Sequence, residues 1–176
     1  MAGIDETKLF TPLNIAVLTV SDTRTEKDDK SGTLLGNMLV EAGHNLKDKV
    51  IIIDDIEKIQ AQIKSWVKNE DIEIVITTGG TGFTGRDVTP EAIKPLFDKE
   101  IEGFSALFHM LSYEKVGTST IQSRACGGLI NTTLVFCVPG SPGACKDAWH
   151  GILKYQLDSR HQPCNFVDIL PRFAEH

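Results

Sequence analysis

Three continuous apolar runs, each followed by a polar segment, divide the first half of the chain. NIAVLTV covers Asn14–Val20, KVIIID ends at Asp54 with Asp55 next to it, and IEIVITT covers Ile72–Thr78. Short apolar runs bounded by polar segments are typical of strands that are buried on both faces of a sheet. We therefore predict three buried strands, of which the second presents Asp54 and Asp55 at its carboxyl end.

Two segments between these strands have the periodicity of amphipathic helices. We predict the first helix at residues 32–42, with Ser31 as its N-cap and Gly43 just beyond its end. The second helix follows Asp55, and its apolar stripe consists of Ile56, Ile59, Ile63, Trp66 and Val67. Packing in the core accounts for that stripe.

The second half of the chain predicts a helix, a hairpin and a closing helix. The first helix follows the N-cap Thr89 and runs from Pro90 to about Tyr113, because proline suits the first helical position. The segment GGLINTTLVFCV turns at residues 131–132, and Leu134–Val138 follows as a core strand. After a further turn, PGSPGAC, the closing helix covers Cys145–Leu157.

Strands and helices alternate in the order that builds right-handed crossovers and a parallel sheet. We predict an α/β fold, a three-layer α/β/α sandwich with a mostly parallel central sheet. Residues 1–12 should form a loose N-terminal arm, and residues 13–176 a single domain. Ligands of such sheets bind beyond the carboxyl ends of the strands. The crevice is thus expected at four loops, residues 21–22, 54–55, 79–87 and 139–143.

Composition narrows the function classes. Of the 176 residues, 41% are hydrophobic and 24% charged, as in ordinary globular proteins, and no apolar run reaches the ~20 residues of a membrane span. The net charge of -6 argues against nucleic-acid binding. MAGIDETKLF lacks a secretory pattern, and the cysteines lack C-x-x-C spacing. We expect a cytoplasmic protein with free thiols and with no membrane or nucleic-acid partner.

Gly80, Gly82 and Gly85 form the pattern G-x-G-x-x-G directly after the third strand. In a dinucleotide-binding fold the last of these glycines lies within the helix, but Pro90 disfavours a helical Thr89 and so leaves Gly85 in the loop. No lysine follows, as it would in a P-loop. Two interpretations stay open: a tight turn without a ligand, or a loop whose amides approach a phosphate.

Two carboxylates accompany this loop. Asp87 stands two residues before Thr89, and Asp54 ends a neighbouring strand, so both should open onto the crevice. Taken alone, Asp87 is typical of a structural loop aspartate that accepts hydrogen bonds from nearby amides. Beside a phosphate, however, the two acids make chemical sense if Mg²⁺ lies between them and the phosphate oxygens.

Further motifs extend the pattern along the chain. They are SD-x-R at residues 21–24, DD at 54–55, TTGGTGFTGRDVTPEA at 77–92, EGF at 102–104, LSYEKVGTSTIQSR at 111–124 and PGSP at 139–142. In this order they resemble the MoaB/MogA family of molybdenum-cofactor biosynthesis, over nearly the whole chain after the arm. The late PCNF is similar to the MoaB branch. The resemblance implies a molybdopterin-binding-like fold.

The resemblance also implies a reaction, in which ATP and Mg²⁺ are used to adenylylate molybdopterin and pyrophosphate is released. It implies that Asp54 and Asp87 are the catalytic residues and the metal ligands. The residues implied to bind nucleotide and phosphate are Ser21, Asp22, Gly79, Gly80, Thr81 and Gly82. Those implied to bind the pterin substrate are Ser112, Ser119, Ser123, Arg124, Pro139, Gly140 and Ser141.

Two function classes remain. One is a molybdopterin adenylyltransferase, which the two acids favour, and the other is a non-catalytic protein that binds molybdopterin or scaffolds its pathway. A nicotinamide oxidoreductase is a distant third. It would require an acidic residue at the end of a strand about 20 residues after the glycines, and the segment there, EGFSALFHM, has the pattern of a helix. The resemblance implies a homo-oligomer, a trimer or a hexamer, with other enzymes of the pathway as further partners. Phe104, Phe108 and Trp149 lie either at its interface or, more simply, in the core.

Overall fold

A six-stranded sheet forms the centre of the molecule in the computed structural model, which describes residues 2–175. Its strands are β2 (Asn14–Val20), β3 (Asn45–Ile52), β4 (Ile74–Thr78), β5 (Lys99–Glu100), β6 (Cys126–Ile130) and β7 (Thr133–Val138). They lie in the order β3-β2-β4-β7-β6-β5. The first four in this order are parallel, and β6 and β5 are each antiparallel to the preceding neighbour. The predicted mostly parallel sheet is confirmed.

Helices cover both faces of the sheet. They are α1 (Lys30–Glu41), α2 (Ile56–Val67), α3 (Thr89–Ile93), α4 (Glu102–Val116), α5 (Pro142–Ala148) and α6 (Lys154–Gln156). Short 3-10 turns follow α3 at Lys94–Leu96 and α4 at Gly117–Gln122, a π-helical turn at Trp149–Leu153 joins α5 to α6, and a last 3-10 turn covers Leu170–Arg172.

The core has two halves because side chains alternate between the two faces of a strand. Ile15 and Val17 of β2 pack on the side of α1, α4 and α5. Ala16 and Leu18 pack on the opposite side, with α2 and α3. The predicted three-layer sandwich is therefore confirmed.

Helix α1 begins earlier than predicted and has a different cap. Its N-cap is Asp29, whose buried carboxylate accepts hydrogen bonds from Gly32 N and Thr19 Oγ1, both at 2.9 Å. Lys49 lies 3.4 Å from the same carboxylate. Ser31 is thus not the cap, because a buried carboxylate with these partners is the stronger acceptor.

The predicted helix from Pro90 to Tyr113 is wrong as a single element. Pro95 has no backbone N–H to continue α3, and the chain instead forms the edge strand β5 against β6 before α4 begins. The closing helix begins at Pro142, three residues before the prediction, because Ser141 caps it by accepting from Ala144 N. The hairpin is confirmed, with Asn131 at a φ of 51° in its turn.

The N-terminal segment lies along the C-terminal part of the chain. Strand β1 (Gly3–Ile4) pairs antiparallel with β8 (His161–Gln162), and Thr11 N donates to Ser159 Oγ at 2.9 Å. These contacts attach the predicted arm to the domain, so it is not loose. Met1, the first residue of the predicted arm, and His176, the last residue of the predicted domain, lie outside the described residues. Within residues 2–175, no helix has the length and apolar character needed to cross a membrane.

His44 is buried at the junction of this segment and the core. Its Nδ1 accepts from Leu13 N at 3.2 Å, and its ring packs between Phe10 and Trp149. Burial lowers the pKa of His44 to about 4, although the charge of Asp158 opposes the shift. The imidazole is therefore neutral in the folded protein at neutral pH.

Acidification should destabilise the fold through His44. The unfolded chain binds a proton at His44 below pH ~6.5 but the folded chain does not until about pH 4, so the free energy of unfolding should fall across this window by up to about 3 kcal/mol. Urea titrations at several pH values measure this. His44→Asn keeps an acceptor near Leu13 N and should flatten the dependence. An equally steep loss in the variant would exclude His44 as the cause.

Candidate functional site

A cavity of about 430 Å³ opens at the carboxyl ends of β2, β4 and β7. The loops that follow these strands form its walls, as expected for a parallel sheet. The sequence-predicted residues that line it are Ser21, Asp54, Gly79, Gly80, Thr81, Gly82, Asp87, Ser123, Pro139, Gly140 and Ser141. Asp22, Ser112, Ser119 and Arg124 lie outside this lining.

The glycine loop is held against the end of β2 by backbone contact. Gly79 and Gly80 both have positive φ, at 103° and 61°. A Cβ on Gly79 would lie 2.1 Å from Val20 O, and one on Gly80 would lie 2.7 Å from Asp54 Oδ1. Side chains are excluded at both positions, so the loop approaches β2 and Asp54 as closely as backbone allows.

Thr89 fixes the other end of this loop. It is the first residue of α3 rather than its N-cap, and its hydroxyl donates to Gly79 O at 2.9 Å. The predicted capping role is therefore wrong, because the hydroxyl is used to close the loop. Among the described residues, the amides of Gly80 and Thr81 donate to no backbone acceptor. Amides of this kind are suited to phosphate oxygens.

Asp87 is both a loop-forming residue and a wall of the cavity. Its Oδ2 accepts from Thr84 N at 2.9 Å and from the Thr84 hydroxyl. Partial burial opposes ionisation, but the hydrogen bonds from Thr84 and Gly82 outweigh it and lower the pKa of Asp87. The carboxylate is thus ionised at neutral pH and is oriented by its own loop.

Asp54 has the opposite electrostatic environment. Partial burial, followed by the negative charges of Asp22 and Asp87, raises the pKa of Asp54, and Arg86 opposes the shift. Its backbone N donates to Asp22 Oδ1 at 3.1 Å, and a backbone hydrogen bond from Asp22 also opposes the rise in its pKa. A cation at this carboxylate would relieve the repulsion.

The donor set fits a magnesium ion better than an ion held by protein alone. Within residues 2–175 there is no cluster of three or more metal-binding side chains. Mg²⁺ commonly takes one or two carboxylates and completes its shell with water and substrate phosphates. Asp54 and Asp87, which both line this cavity, meet that requirement.

Arg24 contacts the site although sequence reasoning did not include it. Its Nη2 donates to Gly140 O at 2.6 Å, and its Nη1 lies 3.8 Å from the buried Asp29. Ser31 Oγ donates to the same carbonyl at 2.9 Å. Arg24 therefore fixes the loop after β7, which lines the cavity, and adds a positive charge there. The signal in the sequence that could have identified Arg24 is the arginine of the SD-x-R motif.

Ser112 and Ser119 line a neighbouring cavity of about 380 Å³. The two cavities share Ser123, Pro139 and Ser141. Lys115 and Lys146, which the sequence prediction missed, also line the second cavity. Phe108 and Asp147 line it too, and the Asp147 carboxylate forms an ion pair with Lys115. The predicted substrate residues thus divide between two adjoining spaces.

Arg124 lies behind the glycine loop and not in either of these cavities. Its Nε donates to Gly82 O and its Nη2 to Asp87 O, both at 2.9 Å. It also forms an ion pair with Glu91. The guanidinium, predicted to bind substrate, is used to hold the loop in shape.

Replacing Gly79 with alanine should destabilise the protein by about 2–4 kcal/mol, because the new Cβ meets Val20 O and the residue keeps a strained positive φ. Gly85→Ala in the same loop is the matched control, since no atom lies within 4 Å of its added Cβ. Chemical unfolding measures both. Equal stability of the two variants would contradict the close approach.

Comparison with known proteins identifies the family of this chain. The model of the family described as "Probable molybdopterin binding domain" matches residues 16–159. Molybdenum cofactor biosynthesis protein B of Escherichia coli (strain K12) is 51% identical over 157 residues, which cover 89% of this chain and 92% of that protein.

Solved structures show the same likeness. A crystal structure of a molybdenum cofactor biosynthesis protein B superposes with a TM-score of 0.86 at 40% identity, covering 96% of this chain and all of that one. The tungsten cofactor synthesizing protein MoaB from Pyrococcus furiosus gives a TM-score of 0.78 at 35% identity, over 93% and 98% of the two chains. This chain therefore belongs to the MoaB/MogA family of molybdopterin-binding domains, in its MoaB branch.

Proposed function

We propose that this chain takes part in molybdenum cofactor biosynthesis, where it adenylylates molybdopterin with Mg-ATP and releases pyrophosphate. The observation that carries the proposal is the pair of adjoining cavities with a common wall at Ser123, Pro139 and Ser141. One cavity has the features of a triphosphate site, and the other is suited to an acceptor molecule. Transfer between two bound substrates requires such neighbouring sites.

The first cavity receives the triphosphate in this proposal. The amides of Gly80 and Thr81 would donate to phosphate oxygens, and Arg24 would add a positive charge beside Gly140. Asp54 and Asp87 would hold Mg²⁺, which when bound supplies charge neutralisation at the phosphate oxygens. The loop contacts of Asp87 leave this carboxylate preorganised.

The second cavity receives molybdopterin. Phe108 provides apolar surface and Ser112 and Ser119 provide hydroxyls. Lys146 provides positive charge for an anionic acceptor, while Lys115 is paired with Asp147 of the same cavity. An oxygen of the acceptor attacks the α-phosphorus of ATP, a new P–O bond forms, and the bond to the β-phosphate oxygen breaks to release pyrophosphate. The protein contributes positioning and charge stabilisation to this step, with no covalent intermediate.

The protein should also form a homo-oligomer, a trimer or a pair of trimers. Phe104, Phe108 and Trp149 are buried in the core and are therefore not interface residues. Helix α4 instead exposes an apolar stripe at Leu107, Met110 and Tyr113, with 50%, 65% and 58% of these residues accessible. Residues three apart lie on one helix face, so the stripe supports a contact between copies. A cytoplasmic location and contacts with other enzymes of the pathway remain predictions from the sequence.

The purified chain should transfer AMP from Mg-ATP to molybdopterin and release pyrophosphate in step. Asp87→Asn should keep the fold, since the amide oxygen still accepts from Thr84 N, and should lower the transfer rate by about 100-fold or more. Asp71→Asn, at an exposed site, is the control for the same chemical change. Full turnover by Asp87→Asn would refute the metal role. Molybdopterin binding without AMP transfer by the wild type would establish the non-catalytic alternative.

Sedimentation velocity at micromolar concentration should show a trimer or a hexamer. Met110→Glu places a charge in the α4 stripe and should dissociate the assembly, because burying an unpaired carboxylate is costly. Val40→Glu makes the same change at an exposed position of α1 and should leave the mass unchanged. A monomeric wild-type protein would contradict the proposed oligomer.

A further inference from the structure

Arg86 is an exposed cation at the edge of the 430 Å³ cavity. Its Nε donates to Asp22 Oδ2 and its Nη2 to Asp22 Oδ1, both at 2.8 Å. Asp22 lines a different cavity, which shares Ser21 and Arg24 with the first. The pair therefore joins the glycine loop to the β2 loop at the boundary of the site.

The partner of Arg86 is easier to replace than the partners of the other arginine in the cavity lining. Arg24 is bound to the Gly140 carbonyl and lies beside the buried Asp29, so its release would leave a buried carboxylate with one counter-charge fewer. Arg86 and Asp22 are both solvent-accessible, so water screens their attraction, and their two-donor pair costs less to break than a contact with a buried carboxylate. An anion that enters the cavity can therefore compete for Arg86 more readily than for Arg24.

Release of Arg86 from Asp22 would also reduce the positive charge near the proposed metal ligands, Asp54 and Asp87. Asp22 would keep its hydrogen bond from Asp54 N and so remain beside Asp54. The loss of the guanidinium would leave Asp22, Asp54 and Asp87 with less positive charge nearby. A divalent cation would then bind more favourably, so phosphate binding and cation binding would reinforce each other.

We propose that Arg86 exchanges Asp22 for the outer phosphates of a nucleoside triphosphate and is thereby the residue that selects ATP over AMP. The inference rests on the proposed function, because it assumes that the glycine loop binds the nucleotide. A planar guanidinium already bound through two donors to a carboxylate presents the same two donors to a phosphate. AMP has no outer phosphates and gains nothing from the exchange.

Isothermal titration of the wild type and Arg86→Gln with ATP and with AMP, in the presence of Mg²⁺, tests the selection. The variant should bind ATP about 10- to 100-fold more weakly and AMP with unchanged affinity, since one charge-assisted contact is lost. Arg172→Gln, which removes an exposed arginine paired with Glu175, is the control and should change neither affinity. Equal weakening of ATP and AMP by Arg86→Gln would overturn the proposal.

Asp22→Asn distinguishes the proposed exchange of Arg86 from a purely structural ion pair between Arg86 and Asp22. The asparagine still accepts from Asp54 N but no longer competes for the charge of Arg86, so ATP affinity should stay the same or rise. A structural bridge predicts a loss of ATP affinity as large as that of Arg86→Gln, and that result would refute the exchange. If the wild type binds ATP but transfers no AMP, the proposed reaction fails while the ratio of ATP to AMP affinity still tests Arg86. A wild type that does not bind ATP would overturn both.

Discussion

Backbone-to-backbone contact between the ends of β2, β4 and β7 is the constraint on which the site depends. Gly79 lies so close to Val20 that a Cβ would lie 2.1 Å from its carbonyl oxygen, and a Cβ on Gly140 would lie 3.1 Å from Gly79 Cα. Thr78 Oγ1 adds a hydrogen bond to Pro139 O. Three loops that follow separate strands are thereby brought to one place, and the cavity lies where they meet.

Charge is distributed around this contact in a consistent way. The arginines that hold the loops, Arg24 and Arg124, donate to main-chain carbonyls and are fixed. The acids that face the cavity are of two kinds, since Asp87 is stabilised as an anion by its own loop while the pKa of Asp54 is raised by burial and by neighbouring acids. A rigid frame thus surrounds a carboxylate whose charge is only partly compensated, which is a suitable arrangement for a site that receives a cation with its ligand.

The sequence predicts those features that are set by local pattern. Apolar runs located β2 and β4 to within two residues, and the turn at Asn131 followed from its place between two strand segments. The four crevice loops were also predicted, because strand ends in a parallel sheet meet at one edge. The predictions that failed concern residues whose roles depend on contacts with distant parts of the chain. The capping carboxylate of Asp29 is selected by Thr19 and Lys49, and the fixed orientation of Arg124 is selected by carbonyls about 40 residues earlier in the chain.

The pairing of Gly3–Ile4 with His161–Gln162 brings a segment near the start of the chain beside one that lies near its end. The two strands form a small sheet that is separate from the central one. A linker from the segment after β8 back to β1, with new ends opened in an exposed loop elsewhere, would give a circularly permuted chain that keeps this pairing. A circularly permuted gene would change the order in which the strands are synthesised but not the way in which they pack. It would therefore test whether folding depends on that order.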